Sequence, residues 1–177
     1  MDSSVWNANT DPTLTAFSPS IDGYVLQSTP ATVFKAGNEM KVPLMTGWNR
    51  LEEILSLTRA LPHNTPEQFG AGLRQLFGTA PAPYPANNQA QTNASSSALI
   101  GDLVIREQTW EAGELHALAG NPVYEYTFTY TSAYSPLPAH TAELPFVFGT
   151  LTNGGLTAGT PRASDVDRAF AAQVMSY

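Results

Sequence analysis

The chain has 177 residues and a formal net charge of −7, with 8 Lys and Arg set against 15 Asp and Glu. Cations so few and scattered exclude an electrostatic footprint for nucleic acid or an anionic membrane surface, since both need clustered positive charge. No cysteine is present, which removes disulfide frameworks and thiolate metal sites, and charged residues are 13% against roughly 25% in ordinary globular proteins, so the surface is mostly neutral and polar.

The length suits a single core, and no stretch stays apolar for the length of a membrane span. The amino terminus has neither a basic start nor an apolar run, so the expectation is a soluble chain without an export signal and with no compartment indicated. Residues 1–16, rich in Asn, Asp, Thr and Ser, read as an irregular lead-in, and 17–177 as the folded part. Asp22-Gly23 predicts a tight turn, and Pro30 opens a short helix over 31–36 that Gly37 ends. Val42 to Thr46 reads as a buried strand of a parallel sheet. Beyond it, Gly47-Trp48-Asn49 leads to Glu52 and Glu53 at the strand's carboxyl end, where open α/β sheets bind their ligands.

After Glu53 the pattern turns helical, and Thr65-Pro66-Glu67-Gln68 forms a capping box for a helix to about Phe77. Residues 78–97, with Pro81-Ala-Pro-Tyr-Pro85 inside, read as a surface loop. Ala98 to Ile105 and Glu107 to Ala119 read as two helical pieces stopped by Gly120 and Pro122. Val123 to Thr131 carries the strongest strand signal, aromatic and Thr residues with no breaker, and a Pro-containing loop then reaches His140. Ser164-Asp-Val-Asp167 caps a last helix whose Val166, Phe170 and Val174 predict an apolar face. Strands alternating with helices indicate the α/β class.

His140 stands in a loop, just ahead of Glu143 and the apolar run Leu144 to Phe148, held by its surroundings while its ring stays reachable, as a general base requires. The acid-bearing and His-bearing turns each follow a predicted strand, acid first. In α/β-hydrolases the triad runs Ser, then Asp or Glu, then His, and this chain shows the last two thirds of that order. A carboxylate on one imidazole nitrogen fixes the tautomer, so that the other nitrogen can take a proton from a hydroxyl. Glu52 is then the orienting acid and His140 the base, with Glu53 the alternative partner. His63 reads as a solvated loop residue, and His116 as a helical position with too few ligands around it for a metal. Trp48 reads as either a pocket wall or core. No cofactor is implied.

Pro19 to Gly23, Val42 to Glu52, Val123 to Phe128 and His140 to Gly149, in that order, together resemble the carboxyl-terminal part of type-B carboxylesterases, the family that includes the cholinesterases. The resemblance runs from about Phe17 onward. It implies the carboxyl-terminal portion of an α/β-hydrolase fold, with an incomplete sheet. It matches Glu52 to the family's triad acid, His140 to its base and Glu143 to a carboxylate beside the base that is not in the triad. Leu51 stands where the family usually has Asp, Glu53 where it has Gly, and Thr141 where Gly is common. The family's nucleophile sits on a Gly-x-Ser-x-Gly elbow, and none of the serines here, Ser135 near His140 included, has the flanking glycines. The expectation is an esterase fragment, inactive alone, that acts on a small carboxylic ester once an amino-terminal half is supplied and self-associates through exposed apolar surface. The alternative is a non-catalytic interaction module, or a truncated gene product that pairs with another chain.

Overall fold

The structure, a computed structural model, describes residues 20–52, 65–78, 83–151, 159 and 161–177. The lead-in 1–16, Glu53, the helical pattern after it and His63 lie outside the described residues. The chain divides into two compact units, Met1–Met40 and Lys41–Tyr177.

In the first unit Asp22 Oδ1 accepts the main-chain N–H groups of Tyr24, Val25 and Leu26, and Gly23 takes a φ of 74° that lets the chain turn there. Helix α1 spans Pro30–Lys35, opened by the Thr29 side chain, which accepts from the Thr32 N–H.

In the second unit β1 (Leu44–Asn49) and β2 (Val123–Phe128) pair in parallel, Leu44 opposite Val123 and Asn49 opposite Phe128. Between them come α2 (Pro66–Phe77), α3 (Gln89–Gly101), a π-helical segment (Asp102–Arg106) and α4 (Glu107–Leu118), which packs on both strands. The one-turn helix α5 (Leu144–Val147) and α6 (Asp165–Val174) follow β2 and pack on each other. Both halves of the Thr65 capping box form, with Gln68 as the reciprocal partner, and Ser164 makes the same box with Asp167.

Four sequence expectations change. The first strand begins at Leu44 rather than Val42 and is not buried: Met45 is 55% exposed and the facing Tyr124 61%, because among the described residues the sheet has two strands with helix α4 packed on it. The loop expected over 78–97 gives way to α3 at Gln89. The Asn88 side chain caps its start by accepting from the Gln91 N–H, and the hydroxyls of buried Thr92 and Ser95 bond the carbonyls of Asn88 and Pro85. Satisfying those hydroxyls locally removes the cost that otherwise keeps Thr and Ser out of a buried helical face. The two helical pieces are one unbroken run from Gln89 to Leu118, widened at the π segment. On α6, Val166 is 69% exposed, and the inward face is Asp167 and Ala171 with half-buried Phe170 and Val174.

Among the described residues, two apolar clusters hold the unit. One joins Phe128, Tyr134, Ala142, Phe146, Ala163 and Ala171, with Tyr130, Leu151 and Phe170 against it; the other joins Phe69, Leu73 and Leu99, with Tyr84, Ala86 and Leu103. Past the end of β2, Tyr130 stacks on Phe170 with ring centroids 4.1 Å apart. The aromatics of the expected strand thus divide: Tyr124 and Tyr126 are exposed, while Phe128 enters the core, where Tyr134 joins it.

Candidate active site

Where β1 ends, the chain changes partner. The Arg50 N–H still donates to Phe128 O at 3.0 Å, but the Leu51 N–H donates to Pro138 O at 3.0 Å, and Leu51 forms a parallel bridge with Ala139. One residue further along each segment stand Glu52 and His140. Their side chains meet with Glu52 Oε2 2.5 Å from His140 Nδ1, although 88 positions separate them in the chain.

The two partners differ in exposure: the Glu52 side chain is 2% exposed and that of His140 40%. A buried carboxylate persists only when its oxygens are engaged. Oε1 accepts the Asn49 main-chain N–H at 2.6 Å and Asn49 Nδ2 at 3.2 Å, which leaves Oε2 for the ring. An ionised carboxylate can only accept, so Nδ1 carries the proton and Nε2 is the nitrogen left with a lone pair. The arrangement can hold a neutral imidazole in one tautomer, with Nε2 able to accept a proton.

Glu143 lies on the same turn as His140 and does not share its partner. Its Oε2 accepts from Asn49 Nδ2 at 2.5 Å, so one amide joins both carboxylates. Burial first, and then the charges of Glu143 and Glu52, push the Tyr126 phenol above its usual range. The acid turn is also held from behind by Arg106 of the π segment, which donates to the Arg50 carbonyl and pairs with Asp102, itself the acceptor for Tyr84 OH at 2.5 Å. π-helical turns often occur at functional sites, and this one aims a guanidinium at the residue two before the acid.

Of the residues singled out from sequence, Glu52, His140 and Glu143 converge here, and Trp48 is half-buried on β1. His116 is elsewhere and buried: its Nε2 bonds Val42 O at 2.7 Å, and Nδ1 faces Asn121 Nδ2 at 3.3 Å. Ser135 is 1% exposed, out of reach of a substrate. Sequence reasoning gave no role to Asn49 or Arg106. The Asp102/Arg106 spacing of four was a visible helix-pair signal, whereas nothing local marked Asn49 as more than the end of a strand.

A parallel sheet that delivers an acid and an imidazole from consecutive turns at its carboxyl edge belongs to the α/β-hydrolase class. Residues 2–177 match the family model described as "Carboxylesterase family", and the chain belongs to that family. It is 31% identical over 138 residues to a fumonisin B1 esterase of Sphingopyxis macrogoltabida, covering 75% of this chain and 25% of that protein. It is 29% identical over 140 residues to a para-nitrobenzyl esterase of Bacillus subtilis (strain 168), covering 76% and 28%. Among solved structures it resembles a PNB esterase (TM-score 0.63, 23% identity, 90% of this chain and 33% of that one) and a carboxylesterase of Geobacillus stearothermophilus (TM-score 0.57, 20% identity, 89% and 34%). The chain thus spans about a quarter of the length of the curated relatives it matches, at 25% and 28%.

Proposed function

We propose that this chain supplies the acid and the base of a serine-type carboxylic-ester hydrolase, with Glu52 orienting His140 and His140 Nε2 moving the proton. The 2.5 Å contact between a buried carboxylate and an exposed imidazole carries the reading. In the reaction, Nε2 takes the proton of a nucleophilic hydroxyl as that oxygen attacks the ester carbonyl. It then returns the proton to the departing alcohol, leaving an acyl-enzyme. A water deprotonated by the same nitrogen then attacks the acyl-enzyme, the proton passes to the nucleophile's oxygen as it leaves, and the carboxylic acid is released. The substrate class is a small carboxylic ester, in keeping with the names of the esterase relatives.

No serine of the 177 residues lies in a Gly-x-Ser-x-Gly elbow, so in this proposal the nucleophile and its oxyanion donors come from polypeptide beyond them. The open sheet face with Met45, Tyr124 and Tyr126 supports that view, as a surface for further chain to cover; left bare, it drives self-association. Each missing oxyanion donor costs about 10²–10³ in rate, so these residues alone hydrolyse esters negligibly.

The test mixes the chain with a separately expressed nucleophile-bearing half and follows a short-chain aryl ester. Activity should appear, vanish with His140→Ala and fall by about 10⁴ in kcat with Glu52→Gln, as when the orienting acid of a triad becomes an amide. No activity at any mixing ratio would favour the non-catalytic interaction reading.

A further inference from the structure

Asn49 ends β1 with its amide between two carboxylates. Nδ2 donates to Glu52 Oε1 at 3.2 Å and to Glu143 Oε2 at 2.5 Å, and the main-chain N–H of the same residue reaches Glu52 Oε1 at 2.6 Å. Ionised carboxylates accept only, so the nitrogen must face both. The amide oxygen is then left over: Asn49 is 2% exposed, and its Oδ1 has no hydrogen-bond partner among the described residues. Buried polar atoms are nearly always paired, and an exception calls for a reason. The reason here lies in the two N–H groups on the other side of the same amide.

We propose that Asn49 is the positioning residue of the acid–base pair. Two N–H donors from one residue saturate Oε1 of Glu52, so only Oε2 is free to accept from His140 Nδ1, and the carboxylate cannot rotate without losing both. The remaining side-chain N–H engages Glu143, so the second carboxylate of the site does not compete for the ring. An apolar residue of similar size would fill the space and leave the choice between two carboxylates open. The proposal rests on reading Glu52 and His140 as acid and base, and it adds what selects the partner of the imidazole.

The experiment is long-range proton–nitrogen NMR on the ¹⁵N-labelled 177-residue chain near pH 8, with His140 assigned by its loss in His140→Gln. The spectrum reports which ring nitrogen holds the proton. The parent should show His140 as the Nδ1–H tautomer. Asn49→Ala and the isosteric Asn49→Asp keep the main-chain donor to Glu52 Oε1 but lose the side-chain one, and should lower the Nδ1–H fraction toward the Nε2–H-rich mixture of free imidazole. His116, whose Nε2–H donates to Val42 O at 2.7 Å, is the internal reporter of an intact fold and should keep its Nε2–H signal. Retention of the Nδ1–H tautomer in both Asn49 variants overturns the proposal. So does loss of the His116 signal along with it, since Asn49 is then a fold residue. A parent without Nδ1–H strikes the underlying Glu52–His140 reading instead, before Asn49 enters.

Discussion

Gly101 lies against the main chain of Glu52: a Cβ added to it would stand 2.8 Å from the Glu52 carbonyl oxygen and 3.1 Å from the Glu52 Cβ. The close approach ties the acid to the long helical run just before it widens into the π segment, five residues ahead of Arg106, which enters the turn that bears Arg50. The helix thus supports the acid turn on two sides, by steric contact and by a guanidinium on a carbonyl.

Gly101→Ala should therefore move the acid. Neither neighbour is the end of a flexible side chain, so overpacking of about 1–3 kcal/mol is expected, read as a lower urea midpoint at unchanged slope. The His140 tautomer should shift with it. A midpoint equal to the parent's would show that the acid turn yields freely and that the contact does not position it.

Thr141, the residue after His140, has a φ of 70°, a left-handed conformation rare for a β-branched side chain. The turn requires it, since the Ala142 N–H returns to Ala139 O at 2.9 Å and the Leu144 N–H to Thr141 O at 3.2 Å. Thr141→Gly should remove about 1–2 kcal/mol of steric cost against about 0.4–1 kcal/mol of added unfolded-state freedom. The expected result is a small gain in unfolding midpoint. A clear loss would mean that the Thr side chain contributes more than its backbone strain removes.

Asp167 governs the acid limb of stability. Burial works to raise its pKa, but bonds from the Ser132 and Ser164 hydroxyls, the Ser164 N–H and Tyr130 OH outweigh it and hold the carboxyl at about 2, below its ordinary 3.8. A folded-state value below the unfolded one stabilises the fold above the unfolded value, and that share is lost as pH falls from about 4 through about 2. Urea midpoints measured across this window should drop for the parent and flatten in Asp167→Asn, which starts lower. Parallel curves for the two proteins would remove Asp167 from the account.

At the alkaline end Tyr84 should act in the opposite direction. Burial, then the hydrogen bond to Asp102 and its charge, push the phenol up to about 12 from 10.0. The neutral phenol is favoured in the folded state, so its contribution is full below pH 10 and disappears as pH rises from there through about 12. Ultraviolet titration of the parent minus Tyr84→Phe should show one tyrosine ionising near pH 12. A difference spectrum centred near pH 10 would contradict the Tyr84–Asp102 bond.

The features legible in the sequence are those made within a few residues. The capping boxes at Thr65 and Ser164, the Asx turn at Asp22 and the proline-opened helix at Pro30 each involve partners no more than four positions apart, so local chemistry is enough to write them. The two strands, and Glu52, His140 and Glu143 as the residues of interest, were likewise visible from residue type, order and family resemblance. What only the tertiary structure decided is which distant segments lie side by side. The switch of Leu51 from β2 to the segment at Ala139 brings Glu52 to His140 across 88 positions, and the Asn49 bridge to Glu143 spans 94. The burial of Thr92 and Ser95 and the exposure of Met45 and Val166 were hidden for the same reason: solvent access depends on what packs from elsewhere in the chain, and hydrophobic periodicity records only that a face exists.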